Sequence, residues 1–312
     1  MKRSLLALAV LALGSGAGAQ AFVHPAKWSV TAPSEAKRGG VLRDYILSDY
    51  KTINPFTTAE ADSIPDDISD GGVYGLLTFD PTTNEFIPYM ASSYTVSSNK
   101  LVWTFNIRKG MKWSDGKPIV ADDWVTTYKI HTDEDVGSNS YDGFFIDDKP
   151  IVVSKVDADT VRITFPKLDA TAAGQSAFTP WPSHVFAPVY ASKGAAGIKA
   201  MWTLNTPAED VVSFGQWKFV SYRPGERATY TKNPTYGEWN KDSAGGALPY
   251  MDGLTVTVTK DLNATFASYL AGNLDAYAPR NADDLRQIKQ GIDNGNLKAF
   301  LRPNARDRKS VV

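Results

Sequence analysis

Alternation of apolar and polar positions is the clearest signal along this chain. Leu101, Trp103, Phe105 and Ile107 alternate with Val102, Thr104 and Asn106, which predicts a half-buried strand with an aromatic inner face. Thr160 to Phe165 repeats the device, with Val161, Ile163 and Phe165 on one face and Arg162 and Thr164 on the other. Leu254, Val256 and Val258 face in while Thr255, Thr257 and Thr259 face out, a third strand of the same kind. A strand is also predicted over Val41 to Leu47, opened by Gly39-Gly40. The period changes to helical at Ala121 to Ile130, where Trp124 and Tyr128 share a face. Asp122 and Asp123 sit in its first turn, where the helix dipole favours acids. Leu262 to Leu270 reads as a second helix, stopped by Gly272-Asn273. Asn281 caps a third, with Leu285, Ile288 and Ile292 in register. Strands and helices interleave irregularly, so the predicted class is α/β mixed rather than a regular βαβ array.

The ends of the chain differ from its middle. Lys2 and Arg3 precede the apolar run Ser4 to Leu13 and the small, polar stretch Gly14 to Ala21, the layout of a secretory signal peptide. The apolar run is too short for a membrane span, which needs roughly 20 residues. Cleavage within Ala17–Ala21 would start the mature chain near Gln20 or Phe22, with 22–38 as a loose lead-in. The last residues, 307–312, look like the read-through of a sequencing adapter and are set aside as a probable non-native tail. On that reading the natural protein continues past Arg306 and the chain is C-terminally truncated.

Composition narrows the function. The chain has 312 residues, 43% of them hydrophobic, enough for two domains with a real core. Lys and Arg number 33 against 34 Asp and Glu, a balance that argues against nucleic acid as a partner. Cysteine is absent, which removes disulfides, thiolate zinc sites, cysteine nucleophiles and a lipid-anchoring cysteine after the signal peptide. An exported, unanchored protein is therefore expected, periplasmic or secreted.

Candidate chemistries fall away on spacing. His24, His131 and His184 are scattered and show no metal-ligand pattern, so surface or core placement is expected for them. Asp133-Glu134-Asp135 opens like a calcium loop, but Ser138 stands where the loop needs Gly and Phe144 where it needs Glu. The glycines of Gly14 to Gly18 lie in the signal peptide with no preceding strand, so they make no dinucleotide loop. Ser34 to Lys37 and Ser97 to Lys100 fit S-x-x-K without the companion motifs. No catalytic residue, metal or cofactor is predicted.

A set of segments, in order, carries a resemblance. Gly39-Gly40-Val41-Leu42-Arg43 is followed by Ile53-Asn54-Pro55-Phe56, then Val73-Tyr74-Gly75-Leu76-Leu77 and Ile87-Pro88-Tyr89-Met90-Ala91. The most specific stretch runs from Trp103 to Pro118 and includes Arg108-Lys109-Gly110-Met111-Lys112-Trp113-Ser114-Asp115-Gly116. Tyr222-Arg223-Pro224-Gly225-Glu226, Lys232-Asn233-Pro234-Thr235-Tyr236 and Leu270-Ala271-Gly272-Asn273-Leu274-Asp275 follow. This series resembles the family 5 bacterial extracellular solute-binding proteins, the oligopeptide/dipeptide/nickel-binding group, over nearly all the mature chain to about Pro279. The Trp103–Pro118 stretch reads as a fold signature: Gly110 ends a strand at positive φ, Trp113 covers the apolar face behind it and Asp115-Gly116 makes a tight turn. Two departures stand out. Val120 occupies a position where the family usually has a capping residue, so the helix start is expected to shift to Asp122. The family's usual "GTGPY" entry is Ser213-Phe214-Gly215-Gln216-Trp217 here.

The resemblance implies a periplasmic-binding-protein-like fold, class II type, of two lobes joined by a hinge, with a small domain inserted in the first and the second largely missing. Motif order places lobe I at 39–56 and 185–262, the inserted domain at 57–184 and the start of lobe II at 263–306. It implies the substrate-binding subunit of an ABC importer, a monomer that captures a small peptide or other small solute between the lobes and hands it to permease subunits in the inner membrane. Thr58, Ala59 and Glu60, after the Asn54-Pro55 turn, would line the cleft largely through backbone, with Glu60 free to pair with a ligand ammonium or to remain a solvated loop carboxylate. Trp217 would stack on ligand or serve as a core aromatic. Nickel complexes and oligosaccharides are alternative cargoes, and a sensor or peptide chaperone is an alternative role. The alternative from another class is a secreted carbohydrate-active hydrolase, which the aromatic content and many carboxylates would suit.

Overall fold

The computed structural model describes residues 37–57, 64–69, 75–80, 83 and 85–297. The signal peptide, most of the lead-in, the 307–312 tail and Thr58, Ala59 and Glu60 lie outside the described residues. The elements in chain order are β1 (Val41–Ile46), α1 (Ile64–Ile68), β2 (Leu77–Asp80), β3 (Glu85–Pro88), β4 (Ala91–Val96), β5 (Val102–Ile107) and α2 (Ala121–His131). They continue with β6 (Phe145–Ile146), β7 (Lys149–Pro150), β8 (Val152–Asp157), β9 (Thr160–Thr164), α3 (Ala172–Gln175) and α4 (Ser183–Lys199). The last are β10 (Trp217–Arg223), β11 (Arg227–Lys232), α5 (Tyr236–Trp239), β12 (Gly253–Val258), α6 (Leu262–Leu270) and α7 (Ala282–Asp293). The class is mixed α/β, and no helix among the described residues is long and apolar enough to cross a membrane.

Two four-stranded sheets organise the chain. The first has the order β1-β12-β11-β10, with β1 parallel to β12 from Val41 opposite Gly253 to Ile46 opposite Val258. The second, β4-β5-β9-β8, is antiparallel throughout and built from neighbouring segments. Each strand buries the face its alternation marks: Phe105 and Ile107 in β5, Val161 and Ile163 in β9, and Leu254, Val256 and Val258 in β12. Beyond β12, α6 leads to a segment that lies along the free side of β1. There Asp275 N–H donates to the Arg43 carbonyl at 2.8 Å, while its carboxylate accepts from Arg43 N at 2.8 Å and pairs with the guanidinium at 2.6 Å. The Asp275 carboxyl is held below the usual carboxylate range by that Arg43 hydrogen bond.

The Arg108–Pro118 stretch works as a structural joint. Gly110 (φ +83°) ends β5 and Gly116 (φ +85°) closes the Asp115-Gly116 turn, with Gly116 N–H donating to the Trp113 carbonyl at 2.8 Å. Trp113 is fully buried, edge-on to Phe214 at 5.8 Å. Ser114 N–H donates to the Ser213 carbonyl at 2.8 Å, and Ser213 N–H returns a bond to Ser114 Oγ at 3.0 Å. The stretch thus clasps the Ser213–Trp217 entry into β10.

The helix start differs from the expected shift to Asp122: α2 begins at Ala121, with extended Val120 as its cap residue. The reason lies three residues on. Asp123 reaches back to accept from Val120 N–H at 2.8 Å, the half of a capping box that needs no polar side chain at the cap itself. The same carboxylate accepts from Trp113 Nε1 at 3.1 Å and from Ser183 N and Oγ at 2.8 and 2.6 Å, and so joins α2, α4 and the Trp113 loop. Burial pushes its pKa up, and these hydrogen bonds pull it back.

Candidate functional site

The turn at Asn54-Pro55 is fixed by a fully buried amide. Asn54 Nδ2 donates to the carbonyls of Ile198 and Met201, at 2.6 and 2.9 Å, and its Oδ1 accepts from Phe56 N at 2.9 Å. The side chain thereby ties the turn to the last turn of α4 and the residues just after it. Phe56 packs edge-on to Phe186 at 5.0 Å and against His131 at 4.8 Å. Pro55, held at the edge of this cluster, forms one wall of a cavity of about 630 Å³.

Four parts of the chain make the other walls. Helix α1 and its end contribute Pro65, Asp66 and Ser69, and the end of α2 contributes His131. The loop after α2 supplies Asn139, Ser140, Gly143 and Phe144, and the segment around α3 supplies Thr171, Gly174, Gln175, Phe178, Thr179 and Trp181. That segment is anchored from both sides: Trp181 N–H donates to Thr127 Oγ1 of α2 at 2.7 Å, and Gly174 abuts the Phe86 ring of β3. Gly75 permits a closer approach still. A Cβ there would lie 2.2 Å from the Phe178 carbonyl oxygen, so only glycine lets β2 run this near the 177–178 backbone.

Two titratable groups on this framework are shifted in opposite ways. His131 is buried, its Nδ1 2.6 Å from Ser138 Oγ, and burial lowers its pKa to about 4, so it is neutral at pH 7. Asp67 of α1 accepts from Tyr230 OH at 2.5 Å and Tyr50 OH at 2.8 Å, and burial raises its pKa to about 6 against those bonds. The raised Asp67 favours folding at low pH, an effect complete below about 3.8 and lost as pH rises through about 6. The depressed His131 does the reverse: its contribution is complete above 6.5 and lost as pH falls through about 4. Each amounts to at most about 3 kcal/mol, Asp67 the more tempered because its residue keeps part of its surface open. The two windows overlap and largely offset. Urea denaturation between pH 4 and 7 is therefore expected to show Asp67→Asn losing stability on acidification relative to the parent, and His131→Phe gaining it. Parallel profiles for all three proteins would refute the assignment.

Trp217, the aromatic candidate from the sequence, lines neither this cavity nor the smaller one described next. Its side chain is 8% exposed at the start of β10, and its carbonyl accepts from Ser213 Oγ at 2.9 Å. The smaller cavity, about 430 Å³, lies at the carboxyl end of β1 between Asp44–Leu47 and Ala276, Tyr277, Ala278 and Arg280, where Tyr45 stacks on Tyr277 at 6.0 Å. Of the wall residues, Asp66, His131, Gln175 and Thr179 carried no sequence signal for a site. They stand in three separate segments, and only the fold collects them. Among the described residues no group of three or more His, Cys, Asp or Glu side chains is placed to hold a metal ion, and the Asp133-Glu134-Asp135 carboxylates instead take hydroxyls, Tyr190 on Asp133 and Tyr141 on Glu134.

The family described as "Bacterial extracellular solute-binding proteins, family 5 Middle" matches residues 85–306. The chain belongs to this family. By that description its members are extracellular solute-binding proteins. A "Probable ABC transporter-binding protein" of Deinococcus radiodurans is 48% identical over 96% of this chain and 50% of its own length. A "Periplasmic alpha-galactoside-binding protein" of Rhizobium meliloti is 30% identical over 61% of this chain and 29% of that protein. Among solved structures, the ABC transporter substrate-binding protein CtaP of Listeria monocytogenes matches at a TM-score of 0.59 and 26% identity, over 76% of this chain and 44% of that one. The chain thus spans half or less of the length of each of these relatives.

Proposed function

We propose that this family 5 protein is the substrate-binding subunit of an ABC importer, that its cargo is a peptide, and that it passes this cargo to permease subunits in the inner membrane. One observation carries the reading to a place on the molecule: the 630 Å³ cavity set against the anchored Asn54-Pro55 turn. Its volume lies in the range of small-ligand sites. Thr58, Ala59 and Glu60 follow this turn directly in the chain and complete the cleft through their backbone, Glu60 meeting the peptide ammonium. The proposed organisation is lobe I at 39–56 and 185–262, an inserted domain at 57–184 and a second lobe starting near 263, with export directed by residues 1–21 and a monomeric mature protein. Ligand favours the closed arrangement because only that state contacts it from both lobes. Peptide is chosen because it is the commonest cargo of the group these motifs resemble. The Rhizobium relative, named for α-galactosides, makes an oligosaccharide the second reading.

A thermal-shift screen against peptides, oligosaccharides and nickel tests this, run on the chain and in parallel on the longer Deinococcus relative. A ligand that binds only the folded state adds about 2.7 kcal/mol at a hundredfold excess over Kd. A shift with peptides supports the reading, and a shift confined to oligosaccharides replaces its cargo. No shift with any class in either protein, alongside turnover of a glycan, overturns transport in favour of a secreted hydrolase.

A further inference from the structure

Beyond its contact with Asp275, the outer edge of β1 is open. In a parallel ladder each residue points its N–H and C=O to one side, and successive residues alternate. The Ile46 carbonyl takes Thr259 N–H on the β12 side, while Arg43 sends both groups outward to Asp275. Tyr45, two residues after Arg43, therefore faces outward as well. No backbone-to-backbone bond from the 276–280 segment reaches it among the described residues. The two segments part here, and the 430 Å³ cavity is the space between them. Asp44 is the one acid and Arg280 the one base among its described lining residues. Asp44 turns its carboxylate to this edge, where Oδ1 accepts from Tyr45 N–H at 2.8 Å. Neither Asp44 nor Arg280 is in an ion pair among the described residues, and the carboxylates near Arg280 in the chain are engaged elsewhere. Asp283 pairs with Arg286, Asp275 pairs with Arg43, and Asp284 accepts from Tyr277 OH at 2.8 Å and from Arg280 N–H at 3.2 Å. The wall between the two charges is firm. The Tyr277 ring lies 6.0 Å from Tyr45, 4.9 Å from Phe266 and 5.6 Å from Tyr269, with its hydroxyl tied to Asp284.

From this we infer that the groove beside β1 binds a small zwitterion, an amino acid or short peptide with both ends free. Its ammonium sits on the Asp44 carboxylate and the Tyr45 carbonyl, and its carboxylate on Arg280. An ammonium carries only donors, so two acceptors on one edge match it, and a guanidinium fork matches a carboxylate. Tyr45 OH accepts from Ala278 N–H at 3.3 Å and keeps its own proton to donate. The volume of about 430 Å³ lies in the range of small-ligand sites. The site is separate from the larger cavity and stands whichever cargo that cavity takes. A ligand seated here bridges β1 to the 276–280 segment and reinforces the joint that the Arg43–Asp275 pair makes beside it.

Titration calorimetry at pH 7 tests this with Ala-Ala, free alanine, N-acetyl-Ala-Ala and Ala-Ala-amide, using the chain and its Asp44→Asn and Arg280→Gln variants. Ala-Ala or alanine is expected to bind, the tighter of the two naming the ligand as peptide or amino acid. Capping either end of Ala-Ala is expected to weaken binding about tenfold, because each cap removes one charge-assisted contact. The variants are expected to lose these preferences one at a time. Asp44→Asn loses the preference for a free amino end and keeps that for a free carboxylate, and Arg280→Gln does the reverse. Both are expected to melt near the parent, since Asn retains an oxygen for Tyr45 N–H and the Arg280 side chain is exposed. The capping comparison needs only the unmodified chain and so decides even where a variant fails to fold. Either capped form binding as tightly as Ala-Ala, preferences that both variants leave intact, or no binding of Ala-Ala and alanine would each overturn the inference. The importer reading then still stands or falls on its own screen of the larger cavity's cargo.

Discussion

Asp123→Ala is expected to lower the melting temperature by roughly 10 °C, corresponding to a loss on the order of 5 kcal/mol. The carboxylate is fully buried and accepts from Val120 N, Trp113 Nε1 and Ser183 N and Oγ. Alanine leaves two backbone N–H groups and an indole N–H without partners in the interior, and each orphaned donor costs about 1–3 kcal/mol. Part of this is recovered, because burial works against the charged carboxylate, as its raised pKa shows. Asn at this position restores one acceptor oxygen but turns an NH2 toward donors, so it is expected to recover less than half of the loss. Urea midpoints of Asp123→Ala, Asp123→Asn and Ser183→Ala supply the check, with Ser183→Ala near 1 kcal/mol. A midpoint for Asp123→Ala within experimental error of the parent would show that the four bonds do not hold α2, α4 and the Trp113 loop together.

Gly75→Ala ranks second, at about 3 kcal/mol. Its Cβ would fall 2.2 Å from the Phe178 oxygen and 2.5 Å from the Ala177 oxygen, and neither backbone group can rotate out of the way. Relief requires moving the 177–178 segment, so ligand affinity should fall together with stability. Gly116→Ala makes the useful contrast. Its Cβ meets nothing within 4 Å, and only the positive φ of +85° opposes it, a cost of roughly 1–2 kcal/mol with no effect on the cavity. If the two variants were equally stable and bound ligand alike, the close approach at Gly75 would carry no weight.

The two cases show what the sequence made legible. The alternating strands could be read because one buried face imposes a period of two, and β5, β9 and β12 bury the residues that period marks. The start of α2 is not legible from residue 120 alone, because the side chain that bonds the cap residue's N–H belongs to Asp123, three positions later. Helix α7 was legible as a helix, capped by Asn281 through Asp284 N, yet its periodicity did not say what covers it: Ile288 is buried while Leu285 and Ile292 are 50% and 39% exposed. The segment joining Trp103 to Pro118 carries the family resemblance while anchoring Phe105, Ile107, Met111 and Trp113 in the core and lining no part of the cavity wall. The wall itself was illegible, since Asp66, His131 and Gln175 come from separate segments that only the fold brings together.

The parallel pairing of β1 with β12 sets an order on assembly. These strands lie roughly 200 residues apart, and closing a loop of that length must precede any gain from the pairing. The second sheet closes within residues 91–164, from the local hairpins β4-β5 and β8-β9 and the longer β5-β9 pairing, and can form while the chain is still being synthesised. β1 has no partner until residues 253–258 emerge. The oldest part of the nascent chain is therefore the last to join a sheet, and until then its exposed strand edge is the segment most open to a chaperone.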